Sequence, residues 1–453
     1  MFGLLDDLIL YSADSSEILR NAAELTAACT DEEKKRLQKK LVKSLLEFAE
    51  FYGFDGNLWH KYVAYCIASD LNPFSLGQER RSGAEASETT ADELGAKDCA
   101  VLRRIFNIDK NRAAGEKEYL PEAVTEYRRN CGLKAFGTSS ANRCGEEKAT
   151  AVSDAGKTIS EFAGSLEEAE GDEAFFNAVS GFYRKNGAGE AGLSKAFILR
   201  TDENEEKEKN FIRLSAVKKT EDIELSDLIG YEEQKRRLIQ NTEAFLEGKP
   251  ANNVLLYGDG GTGKSTSIRA ICNQYCKEGL RIIQVYRHQM KYLSRVIDEI
   301  KNRNFKFIIY MDDLSFEDFE TEYKYLKAVI EGGIEPRPAN VLIYATSNRR
   351  HLIKETWKDR SDMEADGEIH RRDSMEEKLS LAERFGVQIY YGKPTKEQFH
   401  EIVEALALRE GLNIDLQKLH QEATRWEIRR GGVSGRSARQ FIDYMKGLEE
   451  NTK

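Results

Sequence analysis

The stretch that most constrains the fold is GDGGTGKS at residues 258–265, which combines four glycines with a lysine and a serine. It fits the pattern GxxxxGK[ST], follows the apolar run at 254–257 and opens a helical segment at Thr266. A strand, a glycine-rich turn and a helix in this order direct backbone N–H groups and a helix N-terminus toward bound phosphates. The chain is therefore predicted to hold nucleotide phosphates at this turn, which we call the phosphate loop.

Each residue type in the phosphate loop has a chemical task toward a nucleotide. The glycines let the backbone approach the phosphates, Lys264 reaches the β- and γ-phosphate oxygens, and the Ser265 hydroxyl coordinates Mg²⁺. ATP and Mg²⁺ are therefore the predicted ligands. The predicted nucleotide-binding residues of the loop and the turn after it are Gly258, Asp259, Gly260, Gly261, Thr262, Gly263, Lys264, Ser265 and Thr266.

Short apolar runs alternate with helical segments after Asn253, a pattern that predicts a parallel sheet with helices on both faces. The predicted strands are 254–257, 282–286, 305–311, 341–345 and 387–391. Beyond Pro394 the sequence predicts only helices, at 396–410, 415–428 and 437–448. The fold class is thus a five-stranded parallel α/β core followed by a helical lid.

Polar side chains follow two of these strands. Asp312 and Asp313 come directly after the third strand, and Asn348 follows the fourth. Because the carboxyl ends of parallel strands meet at one edge of a sheet, we expect these groups to face the phosphate loop. Asp312 is predicted to hold Mg²⁺ with Ser265, and Asn348 to contact the γ-phosphate or the attacking water. Asp313 stands where many ATPases have a glutamate, and its shorter side chain predicts slow or neighbour-dependent hydrolysis.

In order and spacing these motifs resemble those of AAA+ ATPases. The phosphate loop, the paired aspartates and Asn348 are similar to Walker A, Walker B and sensor 1. The segment LIGY at 228–231 resembles the one that borders the adenine, and this resemblance implies that Ile229 and Gly230 contact the nucleotide.

Two further segments carry arginines that fit the resemblance. ERFG at 383–386 resembles the arginine-finger box, which implies that Arg384 acts on the nucleotide of a neighbouring chain in a homo-oligomer. A guanidinium supplied in trans can stabilise charge on a transferring γ-phosphoryl group. GRSARQF at 435–441 resembles the sensor 2 helix, with Arg439 as the predicted lid arginine and Arg436 as its rival.

Two arginines directly after Asn348 leave an alternative open. Arg349 and Arg350 are also candidates for facing the phosphates of a neighbouring chain. More closely, the segments KPANNVLLYGDGGTGKS, YATSNRRHL, EKLSLAERFG and RRGGVSGRSARQF resemble the bacterial AAA+ ATPases grouped as domain of unknown function 815. That resemblance spans about residues 223–446 and implies a fold and a site, but no client.

The first 200 residues contain helical patterns without a chemical motif. Predicted helices lie at 31–51, 58–68, 99–106, 118–131, 158–168 and 173–184, and loops at 77–95, 137–156 and 185–192. A charged run at 202–209 predicts a boundary. The expected domains are a mainly helical 1–200, possibly the client-binding part, a linker at 201–222, the α/β core at 223–392 and the lid at 393–453.

Composition narrows the class of protein. A net charge of −10 argues against a surface covered in nucleic-acid-binding charge, although the lid carries a basic cluster, Arg425, Arg429, Arg430, Arg436 and Arg439. Seven scattered cysteines are typical of reduced thiols. With no basic leader and no membrane-spanning stretch in the sequence, we expect a cytoplasmic protein without a membrane partner.

The leading hypothesis is an ATPase that couples hydrolysis to a conformational change acting on an unknown protein or nucleic-acid client. An alternative is a helicase-loader-like ATP switch that binds nucleic acid or a helicase, or an ATP-binding scaffold with little hydrolysis. A small-molecule kinase is disfavoured by Asn348 and by the late position of the lid.

Overall fold

The structure is a computed structural model. It describes residues 2–12, 16–81, 89–109, 120, 122–128, 153–201, 212–217, 220–315, 322–332, 337–349, 381–412, 414–430 and 432–450. The chain divides into two compact units, Met1–Ser194 and Lys195–Lys453. Each unit is built around buried cores of its own.

The first unit is helical throughout its described residues. Its helices are Phe2–Asp6 (α1), Glu17–Ala27 (α2), Asp31–Tyr52 (α3), Leu58–Ser69 (α4), Pro73–Arg80 (α5), Thr90–Phe106 (α6), Glu122–Thr125 (α7), Asp154–Glu167 (α8), Asp172–Asn186 (α9) and Gly189–Leu193 (α10), with a 3₁₀ turn at Asn107–Asp109.

Helix α3 shows how the sequence builds this unit. The Thr30 hydroxyl accepts the Glu33 N–H at 3.2 Å and caps the first turn, and Gly53 ends the helix in the left-handed region at φ 79°. Leu37, Leu41 and Leu45 recur every four residues and are buried on one face. Burying each such side chain contributes about 1.5–3 kcal/mol.

The predicted helical character of this unit is confirmed, with differences in the loops. The expected loop at 77–95 contains the end of α5 and the start of α6, because Thr89 and Asp92 cap α6 within a small-residue stretch. The predicted helix at 118–131 lies largely outside the described residues, which include only α7 there. Most of the predicted loop at 137–156 is likewise outside them.

The second unit combines a sheet with helices. Its strands are Ala196–Thr201 (β1), Ile212–Ala216 (β2), Val254–Gly258 (β3), Leu280–Gln284 (β4), Lys306–Met311 (β5), Val341–Ser347 (β6) and Val387–Tyr391 (β7). Its helices are Glu232–Leu246 (α11), Lys264–Tyr275 (α12), Leu293–Ile300 (α13), Glu322–Glu331 (α14), Lys396–Arg409 (α15), Leu416–Arg430 (α16) and Gly435–Glu450 (α17). Short 3₁₀ turns occupy Leu225–Asp227, Cys276–Glu278 and Arg287–Tyr292.

The strands form one sheet in the order β2-β1-β4-β5-β6-β3-β7. All described pairs are parallel except β1 with β2. The five predicted strands and the α/β class are confirmed. The sheet has two strands more than predicted, because β1 and β2 flank the charged run that we assigned to a boundary. The unit therefore starts at Lys195, and the expected linker at 201–222 includes β2.

Helices α15, α16 and α17 form the lid around a core of their own, which includes the buried Phe399, Leu419 and Phe441. In the sheet, the register pairs Tyr257 of β3 with Ser347 of β6, and Met311 of β5 with Ala345 of β6. The carboxyl ends of β3, β5 and β6 consequently lie side by side, where a parallel α/β sheet binds its ligands.

Candidate functional site

Two positions of the phosphate loop require glycine. Gly258 has φ 132°, and a Cβ there would lie 2.2 Å from the Tyr391 carbonyl oxygen. Gly263 has φ 95°, and a Cβ there would lie 2.2 Å from Cδ1 of Leu228. Both φ values are costly for residues with a side chain. The loop can therefore close over these neighbours only with the glycines that the sequence provides.

Lys264 is the first residue of α12, and its side chain turns back over the loop. Its Nζ donates to the carbonyl oxygens of Gly258 at 3.0 Å and Asp259 at 2.6 Å, and to Oδ1 of Asn348 at 3.1 Å. Burial lowers the pKa of Lys264, although the carboxylates of Asp259 and the two strand-end aspartates oppose this shift. The ammonium group is thus held at the loop by three acceptors.

Ser265 and Asp312 are in direct contact. The Ser265 hydroxyl donates to Oδ1 of Asp312 at 2.7 Å, and the Thr346 hydroxyl donates to the same oxygen at 2.6 Å. Burial by itself would raise the pKa of Asp312, but the hydrogen bonds from Thr346 and Ser265 hold this pKa below its usual range. The predicted pair of metal-binding groups is therefore brought together, with the carboxyl group favoured in its charged form.

Asp313 and Asn348 extend this contact network. The Asp313 backbone adopts φ 51°, and its N–H donates to the Thr346 hydroxyl at 2.9 Å. The Asn348 side-chain amide donates to Oδ1 of Asp313 at 2.9 Å, while its oxygen accepts from Lys264. The four predicted residues Lys264, Asp312, Asp313 and Asn348 therefore converge on one edge of the sheet.

Sequence reasoning missed Thr346, which joins the two aspartates. Its hydroxyl accepts from one and donates to the other, and the residue is 2% exposed. A hydroxyl side chain near the end of an otherwise apolar strand, beside the strand that carries the acids, was the available signal.

The lid meets the phosphate loop through Arg436. Its N–H donates to the Gly261 carbonyl oxygen at 3.3 Å, and a Cβ on Gly261 would lie 3.2 Å from its Cβ. Arg439 instead pairs with Glu410 at 3.0 Å and Asp443 at 3.2 Å inside the lid. The structure thus corrects our prediction of Arg439, because acidic neighbours on the lid hold that guanidinium away from the loop, and favours the rival Arg436.

The segment before the sheet connects the core to the lid. Ile229 packs against the lid core, and Gly230 adopts φ 75°. The Tyr231 hydroxyl donates to the Gly392 carbonyl oxygen at 2.8 Å. Asp259 of the phosphate loop accepts the Lys393 N–H at 3.1 Å. The start of the lid is therefore tied both to this segment and to the loop.

Arg384 does not join the phosphate loop of its own chain. It precedes β7 by three residues, and β7 runs parallel to β3 with Val387 opposite Val254 and Tyr391 opposite Gly258. Arg384 is therefore at the amino edge of the sheet, whereas the loop is at the carboxyl edge. Of the alternative arginines, Arg349 lies beside Asn348 at the carboxyl edge, and Arg350 is outside the described residues.

The donor set fits a divalent cation with one hydroxyl and one carboxylate as protein ligands, since Mg²⁺ usually takes one or two carboxylates together with phosphates and waters. Among the described residues, no group of three or more His, Cys, Asp or Glu side chains could hold a metal ion. No helix in the described part of the chain is long and apolar enough to cross a membrane.

Comparison with known proteins gives partial matches outside one family. The replication factor C large subunit of Staphylothermus marinus is 36% identical over 62 residues, and the alignment covers 14% of each chain. The chain therefore spans a small part of this relative's length. The Thermotoga maritima RuvB Holliday junction branch migration motor is 14% identical with a TM-score of 0.30, over 49% of this chain and 71% of the motor. A mutant of the same RuvB gives 13% and 0.32 over the same shares.

A family model described as "Protein of unknown function (DUF815)" matches residues 197–449. The match includes the phosphate loop, the strand-end aspartates, Asn348 and the lid. Because it extends over more than half of the chain, this protein belongs to the DUF815 family, with a core of the AAA+ P-loop type.

Proposed function

We propose that the protein is an ATPase that binds Mg-ATP and couples its hydrolysis to a conformational change acting on a client. The observation that carries the proposal is the contact of Ser265 with Asp312 at 2.7 Å, beside Lys264 bonded to Asn348 at 3.1 Å. A hydroxyl, a carboxylate, an ammonium group and an amide at one strand edge are the set that nucleoside triphosphate hydrolysis uses.

Each side chain has a proposed task. Lys264 would exchange its carbonyl partners for phosphate oxygens, and Asn348 would orient the γ-phosphate or the attacking water. Asp313 would accept the proton of that water. Ser265 and Asp312 would hold Mg²⁺, which neutralises charge on the β- and γ-phosphates when bound. The glycines of the loop leave room for phosphates beside the backbone N–H groups.

The position of Arg384 supports a homo-oligomer. The five residues of β7 separate the two edges of the sheet by about 16 Å, which is more than an arginine side chain spans. Arg384 can therefore supply a guanidinium only to the site of another chain. In such an arrangement, the amino edge of one core faces the carboxyl edge of the next.

Contacts between the loop and the lid support coupling of nucleotide state to movement. Arg436 reaches Gly261, Asp259 holds Lys393, and Arg409 of α15 pairs with Asp227 at 2.5 Å. Phosphates that enter the loop would change its backbone contacts and hence the position of the lid. The described cysteines are free thiols, which supports a reducing, cytoplasmic site of action.

The test is steady-state ATP hydrolysis by the full chain beside Lys264→Ala and Arg384→Ala, with the mass of each determined with and without ATP. We expect wild type to turn over ATP as an oligomer and Lys264→Ala to be inactive. Arg384→Ala should bind ATP and assemble, yet lose turnover by about 1,000-fold or more. ATP binding by a monomer that never hydrolyses would refute the proposal.

A second candidate is a slow ATP switch that engages nucleic acid or a helicase. The observation in its favour is that Asp313, already shorter than glutamate, accepts a hydrogen bond from Asn348 at 2.9 Å. A carboxylate engaged in this way is a weaker base for water. Salt-dependent binding of single-stranded DNA in the ATP state, together with very slow turnover, would favour this candidate. Fast turnover without such binding would exclude it.

A further inference from the structure

The side chain of Arg384 is restrained within its own chain by a carboxylate. Its Nη1 contacts Oε1 of Glu331, the last residue of α14. About a third of each side chain is exposed, 30% for Arg384 and 36% for Glu331. The restraint lies at the amino edge of the sheet, away from the phosphate loop of the same chain.

The geometry leaves the guanidinium without a free bidentate face. A guanidinium binds phosphate with paired N–H groups, either Nη1 with Nη2 or Nε with Nη2. Glu331 occupies Nη1, and Nε is buried with no hydrogen-bond partner among the described residues. Neither pair can therefore close on a phosphate until the contact with Glu331 is released.

The position of Glu331 is not explained by the stability of its helix. A negative charge in the last turn of a helix is unfavourable, because the carbonyl ends of the macrodipole point there. The helix is anchored by the buried Tyr323 and Leu326, on other positions. The contact with Arg384 is what the described structure shows for this carboxylate.

We propose that Glu331 is a positioning residue that holds Arg384 in the separate chain and exchanges it for the triphosphate of a second copy. This proposal rests on the proposed function, since it assumes that Arg384 acts on a neighbour's nucleotide. A half-exposed ion pair is weak, so the exchange is readily reversible. Each assembly step must break the pair, which raises the protein concentration at which sites are completed.

The experiment measures ATP turnover per chain as a function of protein concentration, at saturating ATP, for wild type and Glu331→Gln. Glutamine keeps the size of the side chain and removes its charge. We expect the concentration of half-maximal turnover to fall about two- to five-fold. The limiting kcat and the KM for ATP should not change, because the assembled site contains the same groups. Loss of an ordinary stabilising contact would not lower this concentration.

Glu322→Gln is the matched control, since it removes the same charge from the first residue of the same helix. It should behave as wild type. Arg384→Ala separates the two proposals. If it loses turnover while Glu331→Gln is unchanged or needs a higher concentration, the role of Glu331 is overturned and the trans-acting arginine stands. If Arg384→Ala turns over ATP like wild type, both are overturned. Thermal unfolding of each variant checks that all are folded.

Discussion

The two units use their polar groups in opposite ways. In the first unit, Asp98 is fully buried and accepts N–H groups from Ile9 at 3.0 Å, Leu10 at 2.7 Å and Tyr11 at 3.2 Å. The Tyr183 hydroxyl, 2.9 Å from that of Tyr11, donates to a backbone carbonyl at 2.6 Å. These groups are completed within the unit, so they fasten the N-terminal segment to the helical core.

In the second unit, charged groups converge on a surface. Asp312 and Asp313 are exposed at the edge of the sheet, and Lys264 is bonded to carbonyl oxygens of its own loop. Like charges placed together, with coordination capacity to spare, stabilise a ligand better than they stabilise a fold. The difference teaches that a buried, saturated polar group points to architecture, and a converging, partly exposed set points to chemistry.

The largest expected effect is on the catalytic side of this comparison. Lys264→Ala should lower ATP turnover by about 100- to 1,000-fold, because it removes one positive group that faces the transferring phosphoryl. The free energy of unfolding should change little, since the ammonium group is held desolvated in the folded chain. Steady-state kinetics and chemical denaturation measure the two quantities. A large loss of stability with normal turnover would contradict the comparison.

The mirror image is expected for Asp98. Asp98→Ala leaves three backbone N–H groups without their acceptor and should lower the free energy of unfolding by about 2–3 kcal/mol. Turnover per folded chain should stay near wild type. Asp98→Asn is the control, because it keeps one side-chain oxygen and should lose less. If the alanine variant were as stable as wild type, the buried contact would not fasten the segment.

Two arginines of α17 sharpen the comparison within the second unit. Arg436→Ala should lower turnover about 10-fold, because Arg436 lies against Gly261 of the phosphate loop. Arg439→Ala should leave turnover nearly unchanged and cost at most about 1 kcal/mol of stability, since it removes ion pairs at the surface of the lid. The reverse ranking would return Arg439 to the nucleotide.

The smallest effect concerns pH and the first unit. Burial opposes ionisation of Asp92, but Arg81 at 2.7 Å and the Thr89 N–H hold its pKa below the usual range. A depressed carboxyl pKa stabilises the fold above the unfolded value, about 4, and this contribution is lost as the pH falls through the folded pKa. Asp92→Asn should cost about 1 kcal/mol at neutral pH.

The cost of Asp92→Asn should shrink toward zero in acid, which denaturant titrations at several pH values would show. ATP turnover at neutral pH is the internal control, and it should not respond to this change. A cost that stayed constant down to pH 2 would mean that the carboxylate charge does not contribute.

Much of the second unit could be predicted, because its determinants are local. Strands β3, β5 and β6 are buried on both faces and therefore appear as near-continuous apolar runs. Strands β1 and β2 escaped prediction, since they flank a charged run and their pairing is settled across the sheet. Thr346 escaped because a hydroxyl in an apolar strand gains its meaning from the neighbouring strand.

By itself, the sequence determined the phosphate loop, the strand-end acids and the helical character of both ends of the chain. Contiguous residue types suffice for these features, since backbone dihedrals and side-chain periodicity act over a few residues. Only the tertiary structure decided that Arg436 meets the loop and that Arg384 lies beside Glu331 at the opposite edge. Those relations depend on helix orientation and strand register, which are set by packing between segments far apart in the chain.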